Sequence, residues 1–355
     1  MTTQIAESVL RLKRLILRLR GKRVGVLGDL MLDRYLWGTA TRLSPEAAVP
    51  VVDFVEQSEC LGGAGNVAAN LAALGAKVEA FGVLGKDAAG HILEKCLRAT
   101  SIGGKGVLAD AGRVTTVKTR IIAKHHHVVR VDRERREPVR AETQEKLLRF
   151  LFVALKRLDA LVLSDYNKGL ITDELSNRVI SAANKNKVPV FVGLKTRRPN
   201  AYRGAFMIAC NADEAGLLVN HSLTDEKSFE EAGRAILAHF ACDAVVITRG
   251  EKGMSVFEES SPRHVHIPAT GVEVTYARVG QAGIERGATG RQVFDRTGAG
   301  DTVLSALALA SAAKASLLDA AILANIAAGV VVGKLGTASV SPQELVHALD
   351  ELQHQ

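Results

Sequence analysis

The sequence predicts an α/β fold: a doubly wound, mainly parallel sheet flanked by helices, with a small additional β-sheet. The first observation behind this is a series of short apolar runs, each separated from the next by an amphipathic segment of helix length. The runs lie at residues 161–163, 188–192, 207–209 and 244–247. Short buried strands that alternate with helices are typical of a parallel sheet covered on both faces.

The second observation is that polar residues follow the apolar runs directly. They are Asp29, Asp165, Lys195, Asn211 and Thr248. Ligands of doubly wound sheets bind beyond the carboxyl ends of the strands, at a topological switch point. We therefore expect the functional residues to gather at that edge of the sheet.

The first half of the chain is less regular. Residues 23–27 predict a strand that ends at Gly28, and the glycine-rich residues 62–66 lead into an Ala/Leu-rich helix. Residues 78–83 and 87–99 predict a further strand and helix.

Residues 49–55 alternate between apolar and polar side chains as a strand does, and residues 113–131 are rich in β-branched residues. We expect these two segments to pair as a small separate sheet. The predicted organisation is a basic N-terminal helix (1–22) and one large domain (23–352). Lid strands are expected from about 40–56 and 113–133.

Composition excludes several classes of protein. The chain has 355 residues, of which 47% are apolar, and no run is long enough to span a membrane, so we expect a soluble globular protein. Aromatic residues make up 4%, which disfavours a base-stacking surface for single-stranded nucleic acid. The net charge of +8 favours anionic partners, either nucleic acid or phosphorylated metabolites.

The four cysteines are far apart and form no Cys-x-x-Cys pair. This spacing predicts reduced thiols in a cytoplasmic protein rather than a zinc site or a disulfide framework. Cations interrupt residues 5–20, so we expect no signal peptide there. The leucines of this segment instead predict a helix packed on the main domain, with a membrane-surface or nucleic-acid role as the alternative.

The most informative motif is DRTGAGDT at residues 295–302, which precedes a long helix of small residues. Gly298 and Gly300 leave backbone N–H groups unobstructed at a helix N-terminus, where positive charge accumulates. That arrangement suits a transferring phosphoryl group, and Asp301 is placed to take a proton from an attacking hydroxyl. The alternative interpretation is an ordinary helix cap.

Two further motifs follow predicted strands. Asn211 and Glu214 form an amide–carboxylate pair that can hold hydrated Mg²⁺ and nucleotide phosphates, with a helix cap as the alternative. Residues 248–253 form a glycine-rich turn with a nearby cation, with an ordinary hairpin as the alternative.

Three patterns are set aside. Residues 329–334 end in Gly-Lys but lack the spacing and the following Ser or Thr of a Walker A loop. Residues 63–68 match a dinucleotide fingerprint, but their predicted strand is not adjacent. Adjacent histidines at 125–127 point to alternate faces of a strand, so they cannot all bind one metal ion.

Taken together and in this order, the motifs resemble the ribokinase-like carbohydrate kinases, the phosphofructokinase-B family. The resemblance covers residues 23 to about 352 and is greatest to bacterial heptose 7-phosphate kinases of lipopolysaccharide-precursor synthesis. The matching stretches are 28–35, 43–46, 61–68, 129–132, 164–169 and 332–337.

The resemblance implies phosphoryl transfer from ATP to the anomeric hydroxyl of D-glycero-β-D-manno-heptose 7-phosphate, which gives the 1,7-bisphosphate. It implies Asp301 as general base and an anion hole built from Gly298, Ala299 and Gly300. ATP and Mg²⁺ would be bound by Asn211, Glu214 (the metal ligand), Thr248, Gly250 and Asn325. Sugar hydroxyls would contact Asp29, Asp33, Gly63 and Asn66. Charge and position make Arg130, Lys168 and Lys195 candidates for the sugar phosphate.

The resemblance also implies a β lid that often builds a homodimer. It gives no reason to expect the nucleotidyltransferase half that some bifunctional members carry, because the chain ends shortly after the kinase pattern.

Three departures from the family pattern bear on function. Gly193 and Leu194 replace the usual Asp-Pro before Lys195, and Cys210 replaces a proline before Asn211. Residues 270–292 resemble an insertion, expected to be a surface excursion rather than a cover for the nucleotide. A kinase for another sugar or sugar phosphate, a weakened sugar-binding regulatory protein and a nucleic-acid-binding protein are the alternatives.

Overall fold

The computed structural model describes residues 2–123, 126–195, 198, 200–261, 264–269, 297–334 and 336–353. Several predictions lie outside these residues: those on His125, on the segment 270–292, on residues 295–296 of the glycine motif and on Leu335.

The described residues form ten helices and thirteen strands, numbered here in chain order. The first half contains α1 (Thr2–Leu19), β1 (Arg23–Gly28), β2 (Leu30–Leu43), β3 (Pro50–Gly63), α2 (Ala64–Ala73), β4 (Lys77–Gly85), α3 (Ala88–Ala99), β5 (Gly103–Asp110), β6 (Thr116–Ala123), β7 (His126–Arg133) and α4 (Ala141–Leu155). The second half contains β8 (Ala160–Ser164), α5 (Asp173–Lys185), β9 (Val190–Gly193), β10 (Met207–Asn211), α6 (Ala212–Val219), α7 (Glu226–Phe240), β11 (Ala244–Thr248), β12 (Met254–Glu258), β13 (Val265–Ile267), α8 (Ala299–Ala312), α9 (Leu317–Val331) and α10 (Pro342–Gln353).

The main sheet has nine strands in the order β13-β12-β11-β10-β9-β8-β1-β4-β5. The strands from β11 to β5 run parallel, and β12 and β13 add an antiparallel edge. The chain builds outward from β1 in one direction through β4 and in the other through β8. The switch point therefore lies between β1 and β8, and the predicted doubly wound fold is confirmed.

Helices cover both faces of the sheet. One core contains side chains of α1, α2, α3, α8, α9 and α10, and the other contains side chains of α4, α5 and α7. Helix α8 is buried almost all round, because its small residues allow α2, α9 and the strands to approach closely. Its position at the centre of the molecule fixes where its N-terminus lies.

The smaller sheet, called the lid here, has the order β3-β2-β6-β7. The expected pairing of segments 49–55 and 113–131 is wrong, since β2 lies between β3 and β6 and pairs with both. The lid strands are also longer than predicted. Residues 30–39 were not assigned to a strand because the buried Met31, Leu32 and Tyr35 do not alternate cleanly with polar residues.

Helix α1 packs on the main domain, as predicted. Leu12, Leu15 and Ile16 are buried against it, and the Arg18 guanidinium donates to the carbonyl of Ala313. The Arg11 guanidinium pairs with Asp319 at 2.9 Å. Every described helix falls short of the length and apolarity that a membrane span requires.

Candidate active site

A cavity of about 420 Å³ opens at the carboxyl ends of β8, β9, β10 and β11, beside the N-terminus of α8. Its volume lies in the range of small-molecule sites. Seven of the predicted site residues line it: Lys195, Asn211, Thr248, Gly250, Gly298, Gly300 and Asp301. The sheet edge where function was expected is therefore where the cavity lies.

The N-terminus of α8 has a conformation that only glycine adopts freely. Gly298 caps the helix with φ of 83°, and a Cβ there would lie 2.5 Å from the side-chain nitrogen of Asn66. The first amides of a helix have no partner within it and carry partial positive charge. Gly298 and Gly300 line the cavity, whereas Ala299 does not. The cavity therefore has an anion-attracting wall.

Asp301 lies in the first turn of α8, with its side chain almost fully buried. Its Oδ1 accepts a hydrogen bond from the Tyr166 hydroxyl at 2.5 Å, and its Oδ2 accepts one from the Asn66 amide at 2.8 Å. Burial raises the pKa of Asp301 above its ordinary value, while Lys195 and these two donors oppose the rise. A carboxylate of this kind can accept a proton.

The turn after β8 carries Tyr166 into the cavity. The buried carboxylate of Asp29 accepts from the backbone N–H groups of Tyr166 at 2.9 Å and Lys168 at 3.1 Å, which holds the turn against the end of β1. Burial, and then the neighbouring Asp165, raises the pKa of Asp29 to about 6. Asp29 therefore shapes the site through the backbone of this turn.

Lys195, a candidate for the sugar phosphate, lines the cavity beside the N-terminus of α8. Its Nζ is 3.4 Å from Oε1 of Glu214, and a Cβ added to Gly300 would lie 3.3 Å from that Nζ. The Lys195 ammonium therefore adds positive charge next to the first turn of α8.

Asn211 and Glu214 form a capping box at the start of α6. The Asn211 side chain accepts from the Glu214 N–H at 2.8 Å, and Oε2 of Glu214 accepts from the Asn211 N–H at 2.7 Å. The capping arrangement is therefore present in this pair, and Asn211 also lines the cavity. The adjacent Asp213, which the sequence analysis did not select, is exposed and lines the cavity too.

The donor set bears on a bound metal. The described residues contain no cluster of three or more His, Cys, Asp or Glu side chains that could hold an ion. Mg²⁺ in kinases is usually held by one or two carboxylates together with substrate phosphates and water. Asp213 lines the cavity, where an ion that enters with a nucleotide could reach it, whereas Glu214 does not line it and its two oxygens contact Asn211 and Lys195.

The turn after β11 is a hairpin into β12, as its alternative interpretation stated. Its cation, Arg249, is committed to other groups: the guanidinium pairs with Glu226 at 2.6 Å and lies 3.9 Å from the ring centre of Phe229. Thr248 and Gly250 remain at the cavity wall. Asn325, on α9, does not line the cavity, and its side chain donates to the carbonyl of Pro268 at 2.8 Å.

Three of the residues expected to contact sugar hydroxyls are Asn66, Asp33 and Gly63. The Asn66 side chain, which donates to Asp301, accepts in turn from the Asn70 amide at 3.1 Å. Asp33 is buried and pairs with Arg120 at 2.9 Å at the base of the lid. Gly63 ends β3 and caps α2. The structure thus places Asn66 in contact with Asp301, and the charge of Asp33 raises the pKa of Asp301.

The two remaining cations are paired within the lid region. Lys168 Nζ is 2.7 Å from Glu134, and Arg130 Nε is 3.0 Å from Asp132. In the strand register, Arg130 of β7 lies directly opposite Arg120 of β6, so both side chains lie on the same face of the lid. Arg120 lies opposite Tyr35 of β2, and Tyr35 is two residues from Asp33 on the same strand. Since side chains two residues apart on a strand share a face, Arg130 lies on the face that carries Asp33.

Gly193, where the resemblance leads us to expect an acid, has little space for a side chain. A Cβ there would lie 2.6 Å from Cδ2 of Leu304, so a larger residue requires Leu304 to move. Gly193 and Leu304 both line the cavity, together with Cys210. The space that the acid would need is thus occupied by an apolar side chain of α8.

Comparison with known sequences identifies relatives along nearly the whole chain. A model of the pfkB family of carbohydrate kinases matches residues 22–344. The bifunctional protein HldE of Geobacter metallireducens is 43% identical over 324 residues, which are 91% of this chain and 62% of that protein. The bifunctional protein HldE of Geotalea uraniireducens is 41% identical over 332 residues, 94% of this chain and 64% of that protein. The chain therefore spans less than two thirds of the length of these relatives.

Solved structures show the same fold at low identity. Phosphofructokinase-2 from Escherichia coli, in complex with substrates and products, superposes with a TM-score of 0.72 at 18% identity, covering 94% of this chain and 99% of that one. Arabidopsis thaliana ribokinase, complexed with ribose and ATP, gives a TM-score of 0.70 at 18% identity, covering 93% and 99%. These likenesses confirm the predicted ribokinase-like fold with its separate lid sheet.

Proposed function

We propose that this chain, which belongs to the pfkB family of carbohydrate kinases, uses ATP to phosphorylate the anomeric hydroxyl of D-glycero-β-D-manno-heptose 7-phosphate. The observation that carries the kinase assignment is the position of Asp301. It lies in the first turn of α8, in a cavity whose wall also contains Gly298, Gly300 and Lys195. The heptose assignment rests on the sequence resemblance, which is supported by the identity to the two bifunctional relatives.

In the proposed mechanism Asp301 accepts the proton of the sugar hydroxyl as its oxygen attacks the γ-phosphorus of ATP. The bond from that phosphorus to the oxygen bridging it to the β-phosphate breaks, and ADP leaves. Phosphoryl transfer depends mainly on positioning and on neutralising charge. The amides at Gly298, Ala299 and Gly300, together with Lys195, would supply that neutralisation.

The nucleotide would lie along the carboxyl ends of β10 and β11, against Asn211, Thr248 and Gly250. Mg²⁺, held by Glu214 and Asp213 together with the phosphates, would screen the phosphate charge. Asn325 would contact the nucleotide by exchanging its hydrogen bond to Pro268 for one to the ligand.

The sugar would lie between Asp301 and the lid. Asn66 and Gly63 border Asp301, and Asp29 and Asp33 are the carboxylates nearest the turn and the lid base. Arg130 and Lys168 would bind the 7-phosphate, in competition with their present partners Asp132 and Glu134. The phosphate carries more charge than either carboxylate, which favours the exchange.

We further propose that the chain acts in the cytoplasm as a homodimer joined through its lid. All four cysteines are free, which fits a reducing compartment. The lid exposes several apolar side chains that a partner copy would cover: Leu43, Val49, Phe54, Val55, Val129 and Val131.

A sugar panel with ATP tests this function. We expect ADP formation with the heptose 7-phosphate and much slower formation with fructose 6-phosphate, ribose and free heptose. Faster turnover of another sugar would overturn the heptose assignment and leave the kinase assignment standing; the loss of the carboxylate at Gly193 is the feature that favours such an outcome. Thermal stabilisation by the heptose phosphate without ADP formation would indicate a regulatory sugar-binding protein and overturn the kinase assignment.

A further inference from the structure

Tyr166 connects three parts of the site that come from different segments of the chain. Its backbone N–H is held by Asp29, its hydroxyl donates to Asp301, and the Nζ of Lys195 lies 6.0 Å from the centre of its ring. It also lines the cavity.

The hydroxyl of Tyr166 and the amide of Asn66 hold the two oxygens of Asp301 separately, at 2.5 Å and 2.8 Å. Two donors on opposite oxygens fix the plane of a carboxylate as well as its position. Asn66 is itself held by Asn70, whose amide oxygen accepts from Thr302 at 3.0 Å. The orientation of Asp301 is thus set from α2 on one side and from the turn after β8 on the other.

The hydroxyl of Tyr166 stays protonated in this position and so donates to Asp301. Burial, and then the charge of Asp301, raises the pKa of Tyr166 well above its ordinary value. The charged groups that face Asp301 are Lys195, from the segment after β9, and Asp33, from β2. Of the groups around Asp301, Lys195, Tyr166 and Asn66 favour its ionised form, whereas burial and Asp33 oppose it.

We propose that Tyr166 is a positioning residue for phosphoryl transfer, which orients the carboxylate of Asp301 toward the acceptor hydroxyl. This proposal rests on the proposed function of Asp301 as the base. An ionised, oriented base is what proton abstraction from a sugar hydroxyl requires.

The test is Tyr166→Phe, which removes the hydroxyl and leaves the ring and the backbone contact to Asp29. Without this donor Asp301 should ionise at higher pH, so the acidic limb of the kcat profile should move upward. We expect kcat to fall roughly tenfold on the acidic limb of the profile and to recover to within about threefold of the unsubstituted enzyme on its alkaline plateau. KM for ATP should change little, because the nucleotide contacts are elsewhere.

Tyr202→Phe is the matched control. The hydroxyl of Tyr202 is also buried and donates to a carboxylate, that of Asp165, which does not line the cavity. This variant should lose stability but keep the pH profile of kcat. A Tyr166→Phe profile that stays parallel to the unsubstituted one at every pH would overturn the proposal.

A second variant covers the case in which Tyr166→Phe fails to fold. Replacement of Tyr166 by 3,5-difluorotyrosine retains the hydroxyl as a stronger donor, and the acidic limb should then move to lower pH. An unmoved limb would count against the positioning role.

Asp301→Asn separates this proposal from the proposed function. If that variant turns over normally, the role of Asp301 is wrong. If it is inactive and the limb does not move on changing Tyr166, only the positioning role fails.

Discussion

At the scale of single residues, Asp29 shows how a buried carboxylate shapes this site at a cost. Its side chain is 5% exposed, and it accepts two backbone hydrogen bonds from the turn that carries Tyr166. Those bonds favour the ionised form, but burial and the neighbouring Asp165 outweigh them and raise its pKa to about 6. The fold therefore favours the protonated form of Asp29.

This shift predicts a pH dependence of stability. An acid whose pKa is higher in the folded state stabilises the fold fully below its unfolded pKa and loses that contribution as the pH rises through the folded value. From an ordinary value of 3.8 to about 6, the loss amounts to about 3 kcal/mol between roughly pH 4 and pH 7.

As the pH rises from roughly 4 to 7, we expect the free energy of unfolding of the unsubstituted chain to fall by about 3 kcal/mol relative to that of Asp29→Asn. Urea unfolding of both proteins at several pH values measures the difference. A difference that stays constant with pH would show that Asp29 ionises normally in the fold.

At the scale of secondary-structure elements, α8 and the lid contrast in how well the sequence predicts them. The glycines before α8 and its small residues indicate a buried helix with an open N-terminus, and the structure has both. The lid strand β2 was partly missed. Its base is continuous with the core and its outer half is exposed, so one strand combines two burial patterns and no single period describes it.

The lid also carries the proposed dimer contact. Val129 and Val131 lie on one face of β7, an edge strand whose described residues are all exposed. Val129→Lys with Val131→Lys should place charges in that contact and convert a dimer into a monomer, as measured by light scattering. Leu17→Lys, an exposed apolar position on α1, is the control and should leave the dimer intact. A monomeric unsubstituted protein, or a dimer that survives both lysines, would contradict the proposed contact.

At the scale of the whole molecule, the site is assembled by topology from segments that are distant in sequence. Parallel strands bring the ends of β1, β8, β9, β10 and β11 to one edge, and α8 points its N-terminus at that edge. The sequence could predict this edge, because polar residues follow each apolar run. It could not predict which side chain pairs with which. Lys195 was assigned to the sugar phosphate and lies beside Glu214, while Tyr166 and Asp213 were not selected.

The side-chain pairings could not be predicted for a physical reason. A motif fixes where a backbone group lies along a strand or helix, but the direction of a long side chain depends on charges contributed by other segments. The nearest partner of Lys195 comes from α6, and that of Arg249 comes from α7. Roles that depend on the backbone of a single turn, such as that of Gly298, were the easiest to predict.

The most direct measurement is the turnover of Asp301→Asn. The asparagine keeps the size of the side chain and can still accept from Asn66 or Tyr166, but it cannot accept the sugar's proton. We expect ATP affinity within a few-fold of the unsubstituted enzyme and a kcat lowered at least about 10²-fold. Asp319→Asn makes the same exchange in the first turn of α9, away from the cavity, and should leave kcat unchanged. Near-normal turnover by Asp301→Asn would contradict the assignment of Asp301 as the base.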